Sequence, residues 1–134
     1  MRLFTLALAF AAFCFAGPPS AALRGRLTQR PGQPPAVETP DRKLIALDGD
    51  AATLGVLNDK RLAGKDLNLK GHFNIASQFM VDPIHTKAML VHKNGKTYRI
   101  TYWCDVCAIR TYTPGPCVCC QQETQLDLRD PDTE

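Results

Sequence analysis

The sequence predicts a β-rich α+β domain: a small antiparallel sheet or partly closed barrel, one helix packed on it, and a cysteine knuckle at its C-terminal end. Three observations lead there. Apolar and polar residues alternate with period two over short segments between residues 66 and 129, the pattern of half-buried strands. Asn94-Gly95 separates two β-type runs, the strongest short-range hairpin signal. Two Cys-x-x-Cys pairs, Cys104/Cys107 and Cys117/Cys120, follow the hairpin directly.

With 134 residues the chain has room for one domain. Met1-Arg2 precedes an apolar run from Leu3 to Ala16, which is the pattern of a secretory signal. The run is well short of the roughly 20 residues that span a bilayer. Residues 1–22 are therefore expected to be a signal peptide. Ser20-Ala21-Ala22 offers small residues at both cleavage positions, and Ala16 is the alternative. An uncleaved interfacial anchor is the competing reading. The expected destination is the periplasm or the cell exterior. Residues 23–43 carry Pro31, Pro34, Pro35 and Pro40 with Arg24, Arg26 and Arg30, and this composition predicts a disordered linker. Its arginines could touch an acidic surface, although a solvated linker accounts for them.

Order is expected from residue 44 to residue 129. Leu44-Ile45-Ala46-Leu47 is a short apolar run, broken by Asp48-Gly49-Asp50. Asp50 suits a helix N-cap, Leu54, Leu57 and Leu62 fall near one helical face, and Gly64 suits a left-handed C-terminal cap. From Asp66 the period changes to two. Leu67, Leu69, Gly71 and Phe73 alternate with polar residues, and a second short strand runs through Phe79 and Val81 before Pro83. In the hairpin, a two-residue turn pairs Lys93 with Lys96, Val91 with Tyr98 and Met89 with Ile100, and puts the last two pairs on one face. Leu126 and Leu128 indicate a final strand, and residues 130–134 form an acidic tail expected to fray. The sum is one helix and five or six strands; spacing leaves open whether they close as an OB-like barrel. A core that small gains from a covalent or metal staple.

The six cysteines include Cys14 in the signal, which leaves Cys104, Cys107, Cys117, Cys119 and Cys120 in the mature chain. Exported proteins commonly pair their thiols, but an odd count leaves one over. Two Cys-x-x-Cys pairs suit tetrahedral thiolate coordination, with Cys104, Cys107, Cys117 and Cys120 as ligands and Cys119 as a substitute for one of its neighbours. Over residues 103–121 the segment resembles a zinc-ribbon or rubredoxin-like knuckle pair, and the resemblance implies zinc. It departs from that pattern in its nine-residue spacer, in the fifth thiol, and in having Ala108 and Gln121 where glycine usually follows each pair. The wider stretch is similar to exported bacterial proteins of unknown function that end in a cysteine segment, which implies no activity. Two disulfides are the structural alternative. Cu(I) is the alternative metal for so many soft thiolates, in a sequestering role.

A redox role is a further alternative, because Trp103-Cys104-Asp105-Val106-Cys107 resembles the W-C-x-x-C of thioredoxin-like proteins. That chemistry needs a helix starting at the first cysteine. The residues that follow, Ala108 to Pro114, are rich in β-branched and aromatic types, and Asp105 adds negative charge beside the thiols. Ala108 stands where a haem attachment site requires histidine.

Few other residues suggest chemistry. His72, His85 and His92 could each join three cysteines on a metal, but surface or edge histidines are the favoured reading. Asp50 reads as a helix cap, Asp48 and Asp59 read as solvated turn or helix residues, and no acid–base pair emerges. No catalytic residue is predicted. Tyr98 and Tyr102 fall on the core face and Trp103 on the opposite one. The net charge of +3 carries no electrostatic footprint of nucleic-acid binding, and the expected role is a binding or interaction module for a protein or surface partner.

Overall fold

The computed structural model describes residues 20–133. The expected signal peptide lies outside them except for Ser20, Ala21 and Ala22, and the last two already belong to a strand. A cut after Ala22 removes two positions of that strand; a cut after Ala16 leaves it whole.

Residues 23–43 are a correction. Instead of a linker they supply two strands, β1 (Ala21–Thr28) and β2 (Ala36–Glu38). Leu23, Gly25 and Leu27 turn inward on β1 while Arg24 and Arg26 turn outward, so the segment obeys period two after all. The prolines make a turn. Pro31 and Gly32 occupy its central positions, Gly32 has φ +70°, and Gln33 N–H donates to Arg30 C=O at 3.1 Å, as in a type II turn. Val37 beyond it is fully buried.

β3 (Leu44–Asp48) pairs antiparallel with β2 and leads into α1 (Ala51–Leu57). Asp50 caps this helix as expected, its Oδ1 accepting from Thr53 N–H at 2.8 Å. The helix does not run on to Gly64. Asn58 closes it, and Asp59 caps a separate 3₁₀ turn, Lys60–Leu62, accepting from Arg61 N–H at 3.1 Å. Two polar caps in succession divide one apolar face into two short pieces. Val56, Leu57 and Leu62 still enter the core together, whereas Leu54 is half-buried.

β4 (Asp66–Phe73) and β5 (Phe79–Val81) fall where the alternation puts them. Phe73 is the exception to the buried face; it is exposed and meets the Phe79 ring edge-on at 5.2 Å. β5 pairs parallel with β3 and antiparallel with β4, and β1 pairs antiparallel with β4 over six positions, Ala21–Arg26 against Gly71–Asp66. The ring β1-β2-β3-β5-β4 thus closes as a five-stranded, OB-like barrel with the helix between its third and fourth strands.

A one-turn helix, α2 (His85–Ala88), leads to β6 (Met89–Lys93), which pairs with β4 and turns into β7 (Lys96–Cys104). The hairpin register is the expected one, Lys93 opposite Lys96 and Val91 opposite Tyr98. Asn94 and Gly95 both have positive φ, 52° and 76°, as a type I′ turn requires. β8 (Ile109–Thr111) follows β6 along one edge of β7, and β9 (Gln125–Arg129) takes the other edge. In the tail, Asp130 organises a turn, accepting from Asp132 N–H at 3.0 Å and from Thr133 N–H at 3.2 Å.

Gly71 sits where β4 exchanges neighbours, facing Ala21 on one edge and Val81 on the other. A Cβ there would lie 1.9 Å from the Met80 carbonyl oxygen. Gly71→Ala should therefore cost about 3 kcal/mol of stability. Gly55→Ala, inside α1 with nothing within 4 Å of the added carbon, should gain about 1 kcal/mol. Urea midpoints of the two variants check both signs.

Candidate metal centre

Cys104 is the last residue of β7, and its buried position follows from the inward alternation of Tyr98, Ile100 and Tyr102. The chain turns through Asp105 and Val106 to Cys107 and returns as β8. Cys117 is buried, and its N–H donates to Gln122 C=O at 2.7 Å, closing the second tight turn. The Sγ atoms of Cys104, Cys107, Cys117 and Cys120 all lie within 4.8 Å of one another, and those of Cys104 and Cys120 are 3.5 Å apart. A tetrahedron with bonds of about 2.3 Å has sulfur–sulfur edges of about 3.8 Å, so this group needs little adjustment to hold one ion.

The two arms share a construction. Cys107 N–H donates to Cys104 Sγ at 3.4 Å, and Cys119 N–H donates to Cys117 Sγ at 3.5 Å. Each pair is followed by a residue in the left-handed region, Ala108 at φ 52° and Gln121 at φ 63°. The glycine missing from the sequence pattern is thus replaced by non-glycine residues in the backbone conformation a glycine would adopt. Val106 and Val118 occupy the two tips and are exposed.

The thiols differ in acidity. Backbone N–H groups of Cys120 and Cys119 pull Cys117 down to about 7. Contact with the Cys119 thiol, then burial, pushes Cys107 well up. At Cys104 the Cys107 N–H acts downward, but burial and the neighbouring Cys120 and Cys117 thiols leave it raised. The one depressed thiol therefore lies outside the Cys104/Cys107 pair, and Cys104 ends a strand instead of starting a helix. Neither feature favours thioredoxin-like chemistry.

Cys119 is exposed and outside the four-sulfur group, and the five cysteines among the described residues carry free thiols. No histidine joins the group. His85 Nε2 makes a 2.7 Å hydrogen bond with Tyr112 C=O, and His72 and His92 lie on β4 and β6. Trp103 packs beneath the Arg110 guanidinium, 4.8 Å from its ring centre, while Tyr102 is fully buried and Tyr98 half-buried.

Asp59 is a second correction: it is no solvated residue. Its side chain is 7% exposed and pairs with Arg61, Oδ2 to Nη2 at 2.9 Å. Burial pushes the Asp59 carboxyl up, but hydrogen bonds from the Arg61 side chain and backbone outweigh it and hold the group below the ordinary carboxylate range. Arg61 also lies over the Tyr102 ring, 5.1 Å from its centre, and donates to Thr124 C=O at 2.7 Å. This ties the 3₁₀ turn to the chain leaving the cysteines. Nothing in local sequence signals it, because Arg61 and Thr124 are 63 residues apart.

Among known protein families, curated proteins and solved structures, none matches this chain.

A non-glycine residue in the left-handed region costs about 1 kcal/mol or more. Ala108→Gly and Gln121→Gly should each raise stability by about 1 kcal/mol in denaturant titrations. A loss of stability in both would mean that the paired left-handed turns are not formed.

Proposed function

We propose that this is an exported, non-enzymatic binding module whose four-cysteine group holds a structural zinc ion and so fixes the C-terminal end of a β-barrel. The observation that carries the metal reading is the approach of four sulfurs from two Cys-x-x-Cys turns to within 4.8 Å, with a backbone N–H donated to the first sulfur of each turn. N–H donation stabilises thiolates, and four thiolates without an open position make a closed, structural site and not a catalytic one. Export is supported by Arg2 followed by the apolar run Leu3–Ala16. The exposed fifth thiol, Cys119, supports a second reading in which the cluster collects Cu(I).

Native mass spectrometry with metal analysis and a thiol count, on protein from the exported fraction, distinguishes these. The expected result is a single zinc per chain, lost in Cys117→Ser and kept in Cys119→Ser, with chelation loosening residues 104–124 in hydrogen exchange while the barrel stays protected. Metal-free protein with one free thiol would replace zinc by two disulfides. Several Cu(I) ions per chain would replace structure by sequestration.

A further inference from the structure

Three depressions adjoin one another over the outer face of β1 and β4. The first, of about 650 Å³, is lined by Arg24, Arg26 and Arg42 together with Glu38 and Asp66. The second, of about 310 Å³, lies among Arg24, Asn68, Lys70, Lys87 and Leu90. The third, of about 330 Å³, continues from Lys70 and Lys87 to Asp82 and Ile84. Arg24 lines the first two, and Lys70 and Lys87 line the last two, so the depressions form one groove. From Arg26 to Ala22 along β1 alone it covers about 13 Å.

Arg42, Arg26, Arg24, Lys70 and Lys87 are all exposed along this groove. Of its three carboxylates, Asp66 is taken by Arg24, whose Nε and Nη2 donate to it at 3.1 and 2.8 Å, Asp82 accepts from Ser20 Oγ at 3.2 Å, and Glu38 stands opposite Arg26 in the β1–β2 register. Arg42 has φ 62°, which a side chain disfavours. The turn that holds it is built on Thr39, whose C=O accepts from Arg42 N–H at 2.8 Å and whose N–H donates to Lys43 C=O at 2.9 Å. In the floor, Asn68 Oδ1 is buried and accepts no hydrogen bond from the described residues.

We propose that this groove binds a linear polysaccharide bearing carboxylate groups, with Arg26, Arg42, Lys70 and Lys87 meeting its carboxylates. Arginine suits carboxylates because its planar fork can donate two parallel hydrogen bonds. Glu38, Asp66 and Asp82 stand among the cations, which disfavours polyphosphate, a chain charged on every unit. Single-stranded nucleic acid stacks its bases on aromatic side chains, and no aromatic residue lines the groove. The groove is independent of the cysteine group, so either proposal can fail without the other.

The test is calorimetric titration of the full chain with oligogalacturonate at increasing salt. Binding should weaken as salt rises. Arg26→Glu combined with Arg42→Glu should weaken it by about tenfold or more, and so should Lys70→Glu combined with Lys87→Glu at the other end. Lys60→Glu with Lys96→Glu, exposed positions outside the groove, should leave it unchanged. Circular dichroism confirms that each variant is folded. Absence of saturable binding, equal loss in the Lys60/Lys96 variant, or tighter binding of polyphosphate or an oligonucleotide of equal charge would overturn the proposal.

Discussion

The pairing of β1 with β4 closes the barrel, and most of the architecture depends on it. Without those six ladder positions the ring β1-β2-β3-β5-β4 would open, leaving β1 and β4 with unpaired edges. Leu27, Val37, Leu47, Leu67 and Phe79 would also lose the enclosure that buries them. β4 meets this demand by serving two neighbours at once, with β1 on one edge and β6 followed by β5 on the other. At the exchange the Met80 carbonyl approaches Gly71 so closely that no side chain fits there.

β7 carries this order outward to the cysteines. Its first half pairs with β6, its second half with β8 and β9, and Cys104 ends it. The region beyond has little apolar support of its own: Cys117 is buried, but Val106 and Val118 are exposed. The polar tie from Asp59 through Arg61 to Thr124 anchors one side of it to the barrel. A metal held by four sulfurs would anchor the other, which is the usual remedy where a small domain runs out of core.

The positive charge of the chain is modest, yet its placement is uneven. Arg24, Arg26 and Lys70 project from the outer face because the inward positions of β1 and β4 are taken by Leu23, Gly25, Leu27, Leu67 and Leu69. Barrel closure brings β1 beside β4 and so sets those cations in one line. The Thr39 turn adds Arg42 at one end, and α2 adds Lys87 at the other.

The sequence by itself determined the parts that rest on local chemistry. The Asn94-Gly95 turn and the β6–β7 register were legible because a two-residue loop and period two agree. The Asp50 cap was legible because its bond spans three residues. The four cysteines were legible from spacing, since each pair needs only its own turn. Tertiary structure alone decided what depends on distant partners. Residues 23–43 have the local composition of a linker, because four prolines and the arginines outweigh a short alternation. Only β4, more than 40 residues away, gives Leu23 its cross-strand partner, Leu69. The bond from Arg61 to Thr124, the closure of the barrel and the alignment of the groove cations follow the same rule. Each is stabilised by contacts whose partners are far apart in the chain, and a local pattern carries no information about which of them will meet.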